Sequence, residues 1–557
     1  MIRMGILIVL LSGSPAFGQD RESQTEGKQR PPSRPVDVRT PEDQTPLPKI
    51  DLPEFVITGT ASIDPPAVDK VAFVESGLYN RNPLENVPGA RDRRTIDLGE
   101  RFKQSLFATG EVRNGMILGS LGTFFSPVVT ASYGISSTQY GFLGKAAYRR
   151  TKGFAQFTDA SSASLGVDGN MVFRSTNAYF DESRLSGEVS YGIRKYKFYG
   201  SQTPFVQRDW SVVGLGVGAS SGIAAPLPFH GGLNYRSLSL RDSSDTVTEN
   251  HVTIAAGSQL PVFDVPLDVS FGADLATITR ATPNSLSLIR FSVASPRWSW
   301  GEVSLYVAAN GYAVEGMNGQ KGTYLYPDVR VQHQLSQTQT AFLGFHPSIS
   351  FATLRERTRQ FPYLSSASVI RHTVDRLAFS SGIESAWSDQ LRTKVSFEFR
   401  RSTDEPLYDD TSDSGIGALE YGGTTSIVGV RIDAVANITP IDYFGITLTA
   451  RSAKNDRINA QVPYMPGFEL SATWRHVFPI GVRLTAEMSA YTGRRAAALV
   501  PNTAPSGFWS GLKAEYEGIE RLTLFLNFEN LLNRRDQVWR GYRVEPLRAD
   551  VGVSYRW

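Results

Sequence analysis

The sequence predicts an all-β protein: a transmembrane antiparallel β-barrel of about 22 strands with a disordered N-terminal periplasmic tail. Three observations lead there. Apolar and polar residues alternate with period two through residues 104–557. Short and long connections between these alternating runs succeed one another. The chain also opens on a secretory leader, yet holds no later run of apolar residues long enough for a helical span. An exported chain without such a helix can cross a membrane only with strands that close on themselves.

The alternation is clear in "LRTKVSFEF", where Leu391, Thr393, Val395, Phe397 and Phe399 share one face and Arg392, Lys394, Ser396 and Glu398 the other. "VGVRIDAVANI" sets Val428, Val430 and Ile432 against Arg431 and Asp433, and "RLTLFLNFE" sets Leu522, Leu524 and Leu526 against Thr523 and Asn527. Successive strand residues point to opposite faces, so such runs have one apolar and one wet side. Tight turns are expected at "ISSTQ", "VFDVP", "SWGE", "SQTQ", "WSDQ", "TPID", "FPIG" and "EGIE". Longer polar connections are expected at "RDSSDTVTEN", "EGMNGQKGT", "RERTRQFPYLSSASVIRH", "STDEPLYDDTSDSGIGALE" and "GRRAAALVPNTAPS". Outer-membrane barrels show this asymmetry, with short periplasmic turns and longer external loops. Trp298, Trp300, Trp387, Tyr443, Phe444 and Phe478 flank the tight turns, as in an aromatic girdle at a membrane interface.

At the N-terminus, Arg3, the apolar run Gly5 to Leu11, and small residues Ala16 and Gly18 define a signal peptide over 1–18. Residues 19–66 hold nine of the 31 prolines among Gln, Glu, Asp, Arg and Thr, which suits an extended, unstructured linker. One apolar island interrupts it. Glu54, Phe55, Val56, Ile57 and Thr58 lie in "EFVITGT" (54–60), a β-prone segment able to add to the edge of a partner's sheet. Residues 67–103 carry Val71, Phe73, Val74, Leu78, Tyr79 and Leu84. They are expected to form a short plug remnant or lumen segment ahead of the barrel at 104–557.

The chain ends "RADVGVSYRW", with Val551, Val553, Tyr555 and Trp557 on one face. A strand of this kind needs a partner on both edges, and an aromatic end suits the headgroup layer. This run resembles the end of TonB-dependent receptors. The resemblance rests on Asn530 to Arg534, on Pro546 with Arg548, and on Gly552, Tyr555 and Trp557. "EFVITGT" likewise resembles a TonB box. The resemblance implies a 22-strand barrel, TonB as a partner of Glu54 to Thr58, and a C-terminal signal, Val551 to Trp557, read by the barrel assembly machinery. The chain departs from the family in one respect: only about 45 residues separate Thr60 from the first strand, too few for a full plug domain.

Other chemistry is not indicated. There is no cysteine and the net charge is only +3, so neither thiol chemistry nor nucleic-acid binding is expected. No phosphate loop or nucleophile elbow appears, so no enzyme and no cofactor is expected. The six histidines, His230, His251, His333, His346, His372 and His476, show no metal-ligand spacing. Asp404, Glu405, Asp409, Asp410 and Asp413 lack an EF-hand pattern, and Arg355, Arg357, Arg359 and Arg371 read as a hydrated loop face. The expected surroundings are outer-membrane lipid and lipopolysaccharide. The expected function is solute uptake. The alternative is a plugless anchor or subunit of a surface complex, with a separate plug or lipoprotein as partner.

Overall fold

The computed structural model describes residues 112–557, apart from 223, 244, 264, 282, 411–413, 440, 497–502 and 505. Twenty-two strands of one antiparallel sheet form a closed barrel. The first are β1 (Val112–Gly122), β2 (Ser126–Ser136), β3 (Tyr140–Thr151), β4 (Ala160–Phe173), β5 (Ser183–Lys197) and β6 (Gln207–Ser220). Then come β7 (Phe229–Asp242), β8 (Asp245–Val262), β9 (Val265–Thr279), β10 (Pro283–Ala294) and β11 (Val303–Glu315). Next are β12 (Lys321–Ser336), β13 (Gln339–Phe345), β14 (Thr373–Ala386), β15 (Leu391–Thr403) and β16 (Thr424–Thr439). The last are β17 (Asp442–Asn455), β18 (Phe468–Val477), β19 (Val482–Thr492), β20 (Gly507–Ile519), β21 (Leu522–Glu529) and β22 (Arg548–Arg556).

Closure is made by β1 and β22, which pair from Met116↔Arg556 to Gly122↔Asp550. One further pair extends the seam. Gly115 N–H donates to the Trp557 carbonyl at 3.0 Å, and Trp557 N–H donates back at 3.1 Å. The indole of Trp557 lies across this glycine, where an added Cβ would sit 2.1 Å from the ring. With β22 paired to both β1 and β21, no edge remains, and every strand can satisfy its backbone within the sheet.

The two faces separate by chemistry. Arg431, Asp433 and Thr447 point inward and bond to one another at 2.7–2.9 Å. Asp274 accepts from Arg290 at 2.5 Å and from Thr253 at 2.8 Å, also inside. Val428, Val430, Ile432, Leu524, Leu526, Val551, Val553 and Tyr555 are exposed on the opposite face. That outer face has the apolar character of the lipid belt in outer-membrane barrels.

The polarity inverts along single strands. In β7, Leu233 faces outward and is exposed, while two turns of pleat further on Leu238 and Leu240 point inward and are fully buried. In β10, Ile289 and Phe291 face outward but Leu286 and Leu288 face inward. In β9, Leu275 faces outward and Ile278 inward. The period stays two throughout, but the apolar parity switches where the wall leaves lipid and Ser237, Ser239, Ser285, Ser287 and Thr277 take the outer positions.

From β12 onward the connections keep the expected phase. Turns at 337–338, 387–390, 478–481 and 520–521 alternate with connections at 346–372, 404–423, 456–467, 493–506 and 530–547. The earlier half does not keep it. Connections at 174–182 and 221–228 lie on the same side as those tight turns, and "RDSSDTVTEN" is no long loop but a hairpin closing at Asp242↔Asp245. Its Asp and Ser residues serve a tight turn there. Trp298, Trp300, Trp387, Phe444 and Phe478 are exposed at the tight-turn end, as a girdle requires.

An Arg placed at a lipid-facing midplane site costs roughly 2–4 kcal/mol in such barrels. Val430→Arg is therefore expected to lower the heat-modifiable, folded fraction strongly, and Arg431→Val only weakly. Equal losses would mean that the period-two phase is misassigned.

Candidate functional site

At the end opposite the tight turns, the long connections fold onto one another and onto the inner barrel wall. Leu238, Leu240, Ile278 and Leu286 from the wall pack with Leu354, Phe361, Leu364, Ile370, Tyr408 and Trp539 from the connections. Phe361 meets Trp539 edge-on at 4.1 Å, and Tyr363 stacks on Tyr542 at 3.4 Å. Each fully buried side chain of this size stabilises the assembly by about 1.5–3 kcal/mol. The connections thus share a core of their own, a cap over the lumen.

The sequence builds the cap by anchoring backbone to wall. Within 346–372 one helix forms, α1 (Leu354–Gln360). Thr353 caps it, its hydroxyl accepting from Glu356 N–H at 3.0 Å. Glu249 on β8 accepts from the N–H groups of Leu354 at 2.5 Å and Arg355 at 3.3 Å, so a carboxylate of the wall meets the positive end of the helix.

Arg208 on β6 is 0% exposed. Its Nε donates to Asp242 at 2.6 Å, and its Nη1 donates to the carbonyls of Pro362 and Leu364 at 2.9 and 2.8 Å. Phe198 lies 4.8 Å from the guanidinium. One side chain therefore ties the end of α1 to the barrel. Further bonds lace the connections together. Tyr199 donates to the Arg543 carbonyl at 2.7 Å, Tyr542 to the Gly415 carbonyl at 2.8 Å, and Tyr408 to Gln360 at 3.0 Å.

His372 lies within the same packing. Its Nδ1 accepts from Ala352 N–H at 3.1 Å, which leaves Nε2 to donate to the Glu315 carbonyl at 3.1 Å. Phe351 is sandwiched between His251 and His372, with centroids 5.0 and 4.6 Å away. Burial lowers the His372 imidazole to about 4, against the bond to Glu315, which raises it.

Of the charged residues singled out in the sequence, Arg359 is exposed as on a hydrated face, but others are not. Arg357 is buried beside Tyr408 and Gln360, with Nη1 donating to Gln360 at 3.1 Å. Arg371 pairs with Asp404 at 2.9 Å, and Glu405 lies 3.5 Å from Arg400. Asp410 accepts from the Tyr464 hydroxyl. Asp413 and the segment Glu54 to Thr58 lie outside the described residues. Val551, Val553, Tyr555 and Trp557 lie exposed on the barrel's outer face at the seam.

Beneath the cap, the lumen opens into a chamber of about 830 Å³ against β2 to β6. Tyr199, Trp210 and Phe154 line it, together with Arg149, Glu529, Glu545, Arg548 and Asp550. Arg548 donates to Asp550 at 2.8 Å. Burial raises the Glu545 carboxyl above its usual range, although Arg548 and Arg149 pull it down. No single sequence run announces this chamber, because its lining comes from wall strands and connections far apart in the chain.

No protein-family model and no curated protein matches the chain. Solved structures do match its fold. The chain is similar to the FrpB iron transporter from Neisseria meningitidis, with a TM-score of 0.64 and 9% identity over 83% of each chain. It is also similar to the copper transporter OprC, with a TM-score of 0.60 and 11% identity over 80% of each chain. The ferric-catecholate import receptor Fiu from K12 E. coli, in its closed form, gives a TM-score of 0.58 at 11% identity over 80% of this chain and 82% of its own. With its 22 strands and these neighbours, the protein has the fold of a TonB-dependent receptor-like outer-membrane β-barrel.

Two outcomes test the cap. Removing a buried, bonded charge typically costs roughly 3–5 kcal/mol. Arg208→Ala is expected to speed trypsin cleavage at Arg355 and Arg359 at least tenfold while the barrel stays folded; unchanged cleavage would show that Arg208 does not hold the connection. The second concerns pH. The unfolded imidazole titrates near 6.5 and the buried one near 4, so the released form takes up a proton first. The stability His372 contributes is full above about pH 6.5 and falls by about 1.4 kcal/mol per pH unit down to about pH 4. Hydrogen exchange of amides 352–372, corrected for intrinsic rates, should accelerate over that window, and His372→Gln should remove the acceleration.

Proposed function

We propose that this protein takes up a solute across the outer membrane of a Gram-negative bacterium, with the tight turns and the N-terminal tail in the periplasm and the cap facing outward. The observation that carries the reading is the closed 22-strand barrel whose long connections share a core over a lumen chamber. A barrel of this width would leak if its mouth were open. A cap with its own core makes passage depend on a structural change rather than on free diffusion. The neighbours described as iron and copper transporters and as an import receptor support the same reading.

In this reading Glu54, Phe55, Val56, Ile57 and Thr58 add as a strand to TonB in the periplasm, and residues 67–103 fill the lumen from below. Val551, Val553, Tyr555 and Trp557 are read by the barrel assembly machinery before the seam closes. The outer face then meets lipid and lipopolysaccharide. Nothing observed favours the anchor role over uptake.

Val56→Pro tests the tail. Proline removes a backbone donor and bends a strand. Site-directed crosslinking from residue 55 to TonB should disappear in this variant while folded barrel is unchanged. Crosslinking that survives, or that the unaltered protein never shows, would overturn the box assignment.

A further inference from the structure

The outer face of β15, β16 and β17 carries two cations at the cap end. Arg401 stands opposite Ser426, and Ser426 opposite Lys454, so the three form one row across the strands. They share a face with the exposed Phe397, Val428 and Val430, and both cations are themselves exposed. Neighbouring strands lie about 4.8 Å apart, so Arg401 and Lys454 stand about 10 Å apart with a hydroxyl between them. Neither forms an ion pair with a described residue. The carboxylate two residues beyond Lys454, Asp456, accepts from Thr424 N–H at 2.6 Å.

The row sits where the apolar outer wall stops. On its tight-turn side, the outer face is Phe397, Phe399, Val428 and Val430, and the inner face holds the pair Arg431 and Asp433. At the row the inner face turns apolar: Ile427 and Ala453 are 0 and 1% exposed, in one core with Leu407 and Val462. This is the same change of parity seen on β7, β9 and β10. At the tight-turn end, by contrast, the outer face of these strands presents Leu391, Ile438 and Phe444. A cation on the outer face is costly at midplane and nearly free at headgroup depth. There its stem lies along the apolar wall and its head meets polar groups.

The chemistry narrows the partner. Two cations without carboxylates attract an anion. Arginine meets phosphate oxygens with a two-bonded fork, and lysine meets them as a point charge. The apolar wall directly below calls for acyl chains on the same molecule. Ser426, Thr424 and Ser452 share the outer face beside the two cations, and their hydroxyls suit a phosphate carried on a sugar.

We propose that the row Arg401, Ser426 and Lys454 holds a phosphate of lipid A, the acylated sugar phosphate of lipopolysaccharide, against the barrel's outer face. This rests on the outward cap of the uptake reading and names one site at which the wall meets lipopolysaccharide. The row stands where the connections 404–423 and 456–467 leave the wall, so the bound headgroup borders the cap.

The test is native mass spectrometry of the full mature chain, folded in detergent and titrated with bisphosphorylated lipid A, dephosphorylated lipid A and phosphatidylglycerol. Bisphosphorylated lipid A should bind at least tenfold more tightly than either of the others. Arg401→Gln and Lys454→Gln should each weaken it about tenfold, the loss of one charge-assisted contact. Lys321→Gln, which removes an outer-face cation already paired with Glu315 at 3.0 Å, should change nothing. Heat-modifiable mobility shows that each variant is folded, and either row variant alone suffices. Equal affinity for dephosphorylated lipid A overturns the proposal, because acyl contact alone then explains binding. Equal affinity for phosphatidylglycerol overturns it too, as does unchanged affinity in a folded row variant. The outward cap is read separately. The chain has no cysteine, so Phe205→Cys, at a 65% exposed position between β5 and β6, reports the cap to a membrane-impermeant maleimide on intact cells. Labelling without selective lipid A binding sinks the site and leaves the outward cap standing. Labelling only after permeabilisation sinks the outward cap and the proposal with it.

Discussion

Everything in this fold depends on the seam between β1 and β22. In hydrocarbon an unpaired backbone group costs several kcal/mol, so a sheet can stand in lipid only if its first and last strands meet. Here they meet through Gly115 and Trp557, and the fit is specific in size, since the indole occupies the volume where any other residue at 115 would carry a Cβ. Once the seam is made, each strand has two neighbours. The alternation then has only one reading: apolar residues outward and the ladders around Asp274 and Asp433 inward.

A closed wall creates a second requirement. The lumen has an end that must be covered, and the covering must hold without lipid to drive it. The protein meets this by turning its wall inside out. Above the lipid the apolar residues of β7, β9 and β10 change face, from Leu233 to Leu238, from Leu275 to Ile278, and from Ile289 to Leu286. They offer the connections an apolar floor. Arg208 and Glu249 then fix the backbone of 346–372 to that floor by donating to carbonyls and accepting from a helix start. Packing, buried charge and helix capping act on the same few residues, so the cap is a unit and not a set of independent loops.

Much of this was legible in the sequence. The outward set at Val430 and Leu524 and the inward set at Arg431 and Asn527 follow from period two alone, and the tight turns from β12 onward stand where Gly, Pro, Asp and Ser mark them. The hairpin at Asp242–Asp245 was misread because the polar run around it is half strand: Thr246 and Thr248 sit outside the lipid, where the outer face needs no apolar residue. Arg357 was misread for a related reason. A charge run predicts solvent unless the partners are known, and its partner Gln360, from its own helix, also accepts from Tyr408 of a distant connection. The cap and the chamber could not be read from any one segment, because parity within a strand says which residues share a face but not which strands that face will meet. The switch of apolar parity within β7, β9 and β10 is a local mark of where the membrane ends.

The account makes the seam equivalent to any other strand pair. Hydrogen exchange of the protein in lipid nanodiscs measures this directly. Amides of 115–122 and 549–556 should be as protected as those of central strands such as β16, with no faster class at either end. Rapid exchange confined to β1 and β22, while β16 stays protected, would mean that the sheet is open and would contradict the account.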